Sequence, residues 1–347
     1  MATRIYIETP VVFGRDKSLV GAVCRPAAAL SPKPFVVFLN AGIVHRCGPH
    51  RMSVKLARAL AEVGVSSLRF DLSGIGDSVM PRDAPPMAVQ ERVQIDIDEA
   101  LEFARERYHA TSFVMGGLCS GADNALRTAA RATSVVGLFL LDLSVTRTAG
   151  YHVRLFVRRL FSRTHWTSIV TGRHPAIRAL RNLVRSGSRG LRSREEHLGA
   201  EKTSDAETPS PALEHDAVIP HPMMREYLHT ILARDVHLLC IFTAGIESQY
   251  NYERQFLRLF PGLDFGTRLS LQYFKDCDHT FTGPALQERL RQHMVTWISG
   301  TAFRDATDGP DRVVPPRGLR FSLTPRSRLR RRGELLTSRL SDTDTDR

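Results

Sequence analysis

An α/β architecture, a mostly parallel central sheet flanked by helices, is predicted for this chain on three observations. Short apolar runs alternate with amphipathic helical segments, which implies parallel strand pairing through right-handed crossovers. Several of those runs are apolar throughout, as strands covered on both faces should be. One of them, Phe113–Leu118, leads through Gly117-Leu-Cys-Ser-Gly121 into a helical stretch, Ala122-Asp-Asn-Ala-Leu-Arg-Thr-Ala-Ala130. The 347 residues are ample for one large domain or two small ones.

In chain order, residues 4–13 and 18–24 read as an opening hairpin turned at Gly14-Arg-Asp-Lys17. The run Pro34–Asn40 is a short buried strand. Val54, Leu56, Ala57, Leu60 and Ala61 then recur at helical spacing within 52–63. Val65–Asp71 is the next strand, and Met87–Tyr108 a long amphipathic helix. After Ser112–Leu118 and its helix come strands at Val135–Leu141, Val236–Thr243 and Leu269–Phe274. A closing helix covers Pro284–Ile298.

Two segments break this rhythm and divide the chain. A core of residues 1–145 and 236–300 is interrupted by an insertion, 146–235, expected to form an arginine-rich helical lid. Its stretch 151–194 carries eleven arginines and no Asp or Glu. The following stretch, about 195–222, is acidic and rich in Pro, Ser and Thr, and is expected to be unfolded, as is the basic tail 301–347.

Several function classes recede on composition. No apolar run approaches the length of a membrane span, and the N-terminal residues lack the apolar core of a secretory signal. The five cysteines (Cys24, Cys47, Cys119, Cys240, Cys277) are odd in number and scattered. They suggest a reducing cytoplasm and no metal site. A net charge of +12 raises anionic partners, but no nucleic-acid motif is present, so specific nucleic-acid binding is not expected. Gly74-Ile-Gly76 lacks the surroundings of a phosphate loop.

What remains points to acyl transfer, which needs a nucleophile, a base, a group orienting the base, and donors for the oxyanion. Between Gly117 and Gly121 the central residue is Cys119, at the strand-to-helix turn where a nucleophile elbow sits. His279, after the last strand, is the expected base. Glu247, beyond the strand 236–243, is the expected acid, with Asp142 as its rival; Asp276 and Asp278 are expected to shape the histidine loop. The backbone amides of Gly42 and Ser120 are the expected oxyanion hole. The alternative for the elbow is a packing turn around an inert buried cysteine.

These motifs resemble the α/β-hydrolase superfamily over residues 18–145 and 236–299. The matching stretches are Asn40-Ala-Gly-Ile-Val-His45, Asp71-Leu-Ser-Gly-Ile-Gly-Asp-Ser78, Gly117-Leu-Cys-Ser-Gly121 and Asp278-His279. Within it the chain is most similar to serine-aminopeptidase-like and monoglyceride-lipase-like hydrolases, and to a bacterial subgroup associated with exosortase or exopolysaccharide loci. Most members carry serine where Cys119 stands, and many carry His-Gly where Asn40-Ala41 stands. Cysteine at this place resembles dienelactone hydrolases and polyhydroxyalkanoate synthases. The resemblance implies an α/β-hydrolase fold with a lid, and cleavage of a small acyl ester or thioester through an acyl-cysteine, without cofactor. Two other readings keep the same scaffold. One is an acyltransferase whose arginine-rich lid contacts CoA or a carrier protein. The other is a non-catalytic protein docking on anionic lipid at the inner face of the membrane.

Overall fold

The computed structural model describes residues 5–28, 33–161, 219–300 and 303. Its centre is an eight-stranded sheet. The strands are β1 (Tyr6–Phe13), β2 (Leu19–Pro26), β3 (Phe35–Leu39), β4 (Ser67–Phe70), β5 (Phe113–Leu118), β6 (Val135–Leu141), β7 (His237–Thr243) and β8 (Leu269–Phe274). They lie in the order β1-β2-β4-β3-β5-β6-β7-β8. Pairings β1/β2 and β2/β4 are antiparallel, and all the rest are parallel. The antiparallel pair is the expected hairpin. The parallel part follows because each later strand returns through a helix rather than a tight turn.

The helices are α1 (Met52–Glu62), α2 (Val89–Tyr108), α3 (Ser120–Arg131), α4 (Ala149–Phe161), α5 (His221–Leu232), α6 (Gln255–Leu259) and α7 (Pro284–Ile298). Side chains alternate across a strand, so each inner strand feeds two cores. On one face Val36, Phe38, Val114, Leu118, Leu239 and Ile241 meet Leu56 and Leu60 of α1 and Leu290 and Met294 of α7. On the other, Val37, Leu39, Met115, Leu138, Leu140 and Phe242 meet α2, α3 and α5. This double coverage is why β3, β5 and β6 read as unbroken apolar runs. The architecture is the α/β-hydrolase fold.

Strand and helix positions match the sequence expectation to within a few residues, but α5 and α6 were not anticipated. Met224, Leu228 and Ile231 of α5 are buried in the core. The C-terminal end of the segment 146–235 therefore belongs to the helical layer over the sheet. Most of the expected lid, with nearly all of 195–222, lies outside the described residues, as does the tail apart from Phe303. Among the described residues no helix is long and apolar enough to cross a membrane.

Candidate functional site

Parallel strands bring their C-terminal ends to one edge of the sheet, where α/β proteins gather their ligands. Here consecutive ends are also stitched together by backbone hydrogen bonds. The Cys119 amide donates to Leu141 O (2.9 Å), the Asp142 amide to Ile241 O (2.8 Å), and the Gly245 amide to Cys277 O (3.1 Å). This ladder runs from β5 to β6, to β7, to the loop after β8. It gathers Cys119, Asp142, Thr243 and His279, far apart in the chain, into one locality.

Cys119 caps the turn from β5 into α3 with φ 56° and ψ −122°, a conformation few side-chain-bearing residues adopt. The flanking glycines are needed for close approach. A Cβ on Gly117 would stand 2.6 Å from Leu39 O, and one on Gly121 2.8 Å from Asn40 O. Both keep the turn pressed against the end of β3. The bend itself falls on Cys119, which is half-buried.

His279 Nδ1 lies 2.8 Å from Asp142 Oδ2. The other ring nitrogen is left for Cys119, whose side chain is close enough to help raise the imidazole pKa. Asp142 first, and Cys119 after it, hold the His279 pKa up to about 10. Asp142 is fully buried, and Thr243 satisfies it twice. The Thr243 amide donates to Oδ1 (2.6 Å) and its hydroxyl to Oδ2 (2.7 Å). A buried carboxylate so supplied with donors tolerates its charge.

The partner of His279 is thus Asp142, correcting the expectation of Glu247. The chain leaves β7 through a single helical turn, Ala244–Ile246, which ends at Glu247. That turn carries Glu247 to a neighbouring cleft. Gly245 in the same turn packs so closely on the histidine loop that a Cβ would lie 1.9 Å from His279 N. The loop is braced from within by Asp278, as expected. Its carboxylate accepts from the Thr282 amide (2.7 Å) and from the hydroxyls of Thr280 (2.8 Å) and Thr282 (2.7 Å). Those bonds lower its pKa to about 2 against the opposing effect of desolvation. Asp276 instead pairs with Arg289 of α7 (2.8 Å).

Gly42, with φ 53° and open space around its Cα, sits in the tight turn after β3. Its amide donates to Ser120 Oγ at 2.7 Å. The two expected oxyanion residues are therefore adjacent. The structure adds a supporting network that single-residue motifs do not reveal. Asn40 Oδ1 accepts from the Leu72 amide (2.9 Å), and its Nδ2 donates to Val44 O (2.9 Å). Buried Asp71 accepts from the Arg46 amide (2.5 Å) and from the Arg46 guanidinium, which also pairs with Asp77 at 2.6 Å. These bonds clamp the Gly42 turn to the loop after β4. In sequence the two loops stood out as separate motif stretches, with nothing to show that they join.

A second buried acid lies nearby. Asp123 of α3 accepts from the amide (3.2 Å) and hydroxyl (2.7 Å) of Ser144, two residues past Asp142. Burial pushes its pKa up to about 7.

No family model and no curated protein matches the chain. Among solved structures it is similar to Est1E from Butyrivibrio proteoclasticus. The identity there is 15% over 84% of this chain and 97% of that one, with a TM-score of 0.49. It is also similar to the esterase Pf2001 from Pyrococcus furiosus (13%, 85% and 90%, 0.46). An alpha/beta hydrolase from Sphaerobacter thermophilus DSM 20745 gives 16%, 84% and 100%, and 0.44.

Proposed function

We propose that the chain is an acyl hydrolase that cleaves an ester or thioester through a covalent intermediate on Cys119. The observation that carries this reading is Asp142 Oδ2 lying 2.8 Å from His279 Nδ1 at the sheet's C-terminal edge, beside the Cys119 turn and close enough to it for Cys119 to raise the imidazole pKa. Asp142 orients the imidazole and keeps the proton on Nδ1, so that Nε2 faces the thiol. An imidazole whose pKa is raised to about 10 retains the proton it draws from Cys119 at neutral pH. Cysteine is the nucleophile suited to a histidine base of this kind. The position of Cys119 just ahead of α3 adds the positive end of a helix dipole.

In the proposed cycle the Cys119 thiolate attacks the carbonyl carbon, and the carbonyl oxygen gains negative charge. The amides of Gly42 and Ser120 receive that oxygen, with the Ser120 hydroxyl rotating off Gly42 to make room. Collapse expels the alcohol or thiol, which takes its proton from His279. Water then gives a proton to His279 and attacks the acyl-cysteine, releasing the carboxylic acid and returning the thiol. The Asn40, Asp71 and Arg46 network supports the mechanism by fixing the Gly42 turn before substrate arrives.

Stopped-flow hydrolysis of short-chain p-nitrophenyl esters tests this. A nitrophenolate burst is expected, matched by an acyl mass increment on the Cys119 peptide. Cys119→Ala should abolish both, and Ser120→Ala should retain them. Full turnover in Cys119→Ala with loss in Ser120→Ala would refute the assignment.

A further inference from the structure

The turn that backs His279 also forms one wall of a second cavity. Ala244 and Glu247 contribute that wall of an open cleft of about 640 Å³, while Gly245 between them abuts the histidine backbone. The volume falls in the range of sites that hold a sizeable small molecule, about 300–1,000 Å³. Four cations face it: Arg154 of α4, Arg254 and Arg258 at the start and end of α6, and Lys275 directly after β8. Among the described residues none of the four makes an ion pair. Two carboxylates, Glu247 and Glu253, also line the cleft, so four positive charges less two negative leave it positive by two.

The cleft has a fixed feature as well as a charge. The guanidinium of Arg154 lies 4.1 Å from the centre of the Tyr252 ring, and the Tyr252 hydroxyl is held by Thr148 at 2.9 Å. One amino group of Arg154 reaches back to Gly150 O at 3.5 Å; a stacked guanidinium has further edge donors, which suit a phosphate oxygen. A single carboxylate would engage one such group. Cations spread around the cleft match a ligand with several negative charges.

We propose that this cleft is a subsite for a phosphorylated leaving group, the phosphate or diphosphate end of an acyl ester or thioester. The inference rests on the reading of Cys119 as the group that accepts the acyl chain, and it narrows the substrate class. Lys275 lies four residues before His279, and Ala244 borders the Gly245 contact, so anion and acyl sites share one loop pair.

Binding and turnover separate this inference from the hydrolase reading. Calorimetric titration of the full chain uses S-methyl-coenzyme A, which cannot be cleaved, with inorganic pyrophosphate as a bare diphosphate probe. Binding of the former is expected, with Kd raised at least about tenfold in Arg254→Gln/Arg258→Gln, since two charge-assisted contacts are lost. Unaltered Kd in that variant, or no binding by the wild type, overturns the proposal. Pyrophosphate competing for the site supports recognition of the phosphates. Should the double variant misfold by circular dichroism, Lys275→Gln serves the same comparison. In turnover, the ratio of kcat/KM for acetyl-coenzyme A to that for S-acetyl-N-acetylcysteamine should fall about tenfold in the variant, since the truncated thioester lacks phosphate. Binding without acylation of Cys119 would sink the hydrolase reading and leave the cleft as an anion site.

Discussion

The ends of β6 and β7 are neighbours in the sheet, and either could have supplied the carboxylate for His279. They differ in how the chain leaves the strand. After β6 the backbone turns at once, with Asp142 at φ 47°, and the carboxylate drops into a buried position where Thr243 meets both its oxygens. After β7 one helical turn intervenes, and Glu247 emerges half-buried beside the cationic cleft. The residue at the end of β7 still serves the site, as donor rather than as acid. Orientation of the histidine is thus shared between two strands: one provides the charge and the other holds it.

The sharpest way to break this comparison is to neutralise each acid in turn. Asp142→Asn should lower kcat by about 10³–10⁴-fold, the size of effect that follows loss of the carboxylate orienting a catalytic histidine. Glu247→Gln should change ester hydrolysis less than about twofold. Reversed magnitudes in steady-state assays would return the role to Glu247.

A smaller effect is expected at the donor. Thr243→Val removes the hydroxyl from a buried carboxylate, a change that costs about 1–3 kcal/mol. It should lower kcat about tenfold and shift the acidic limb of the pH–rate profile, and Thr243→Ser should restore both. Equal behaviour of the two variants would reduce Thr243 to a packing residue.

The mildest effect is on stability against pH. The pKa of His279 is raised in the folded protein to about 10, against about 6.5 for an unperturbed histidine. Its contribution is therefore complete below about pH 6.5 and is lost as pH rises through about 10. Melting temperatures across that window should decline in the wild type. The decline should be shallower in Asp142→Asn and unchanged in Glu247→Gln.

How much of this was legible beforehand follows from the range of the interactions. β3, β5 and β6 were readable because burial on both faces leaves no polar position within them. The elbow was readable because Gly117 and Gly121 answer to a local steric demand from β3. α5 was hidden since its neighbours in sequence are polar and proline-rich, while its apolar face is matched by parts of the chain far from it in sequence, among them α3 and the sheet. The choice of Asp142 over Glu247 depended on the turn geometry after each strand and on Thr243, 101 residues away from Asp142. No spacing within either segment carries that information. The Asn40, Arg46 and Asp71 network likewise joins two loops that only strand order makes adjacent.

The backbone angle at Cys119 has an evolutionary corollary. A residue bearing a Cβ at φ 56° and ψ −122° carries about 1–3 kcal/mol of conformational strain that glycine would relieve. Drift toward greater robustness at this one position therefore leads to a side-chain-less residue and, on the proposed mechanism, to an inert protein. Directed evolution for heat tolerance alone would favour Cys119→Gly, and only simultaneous selection for turnover would keep the sulfur where it is.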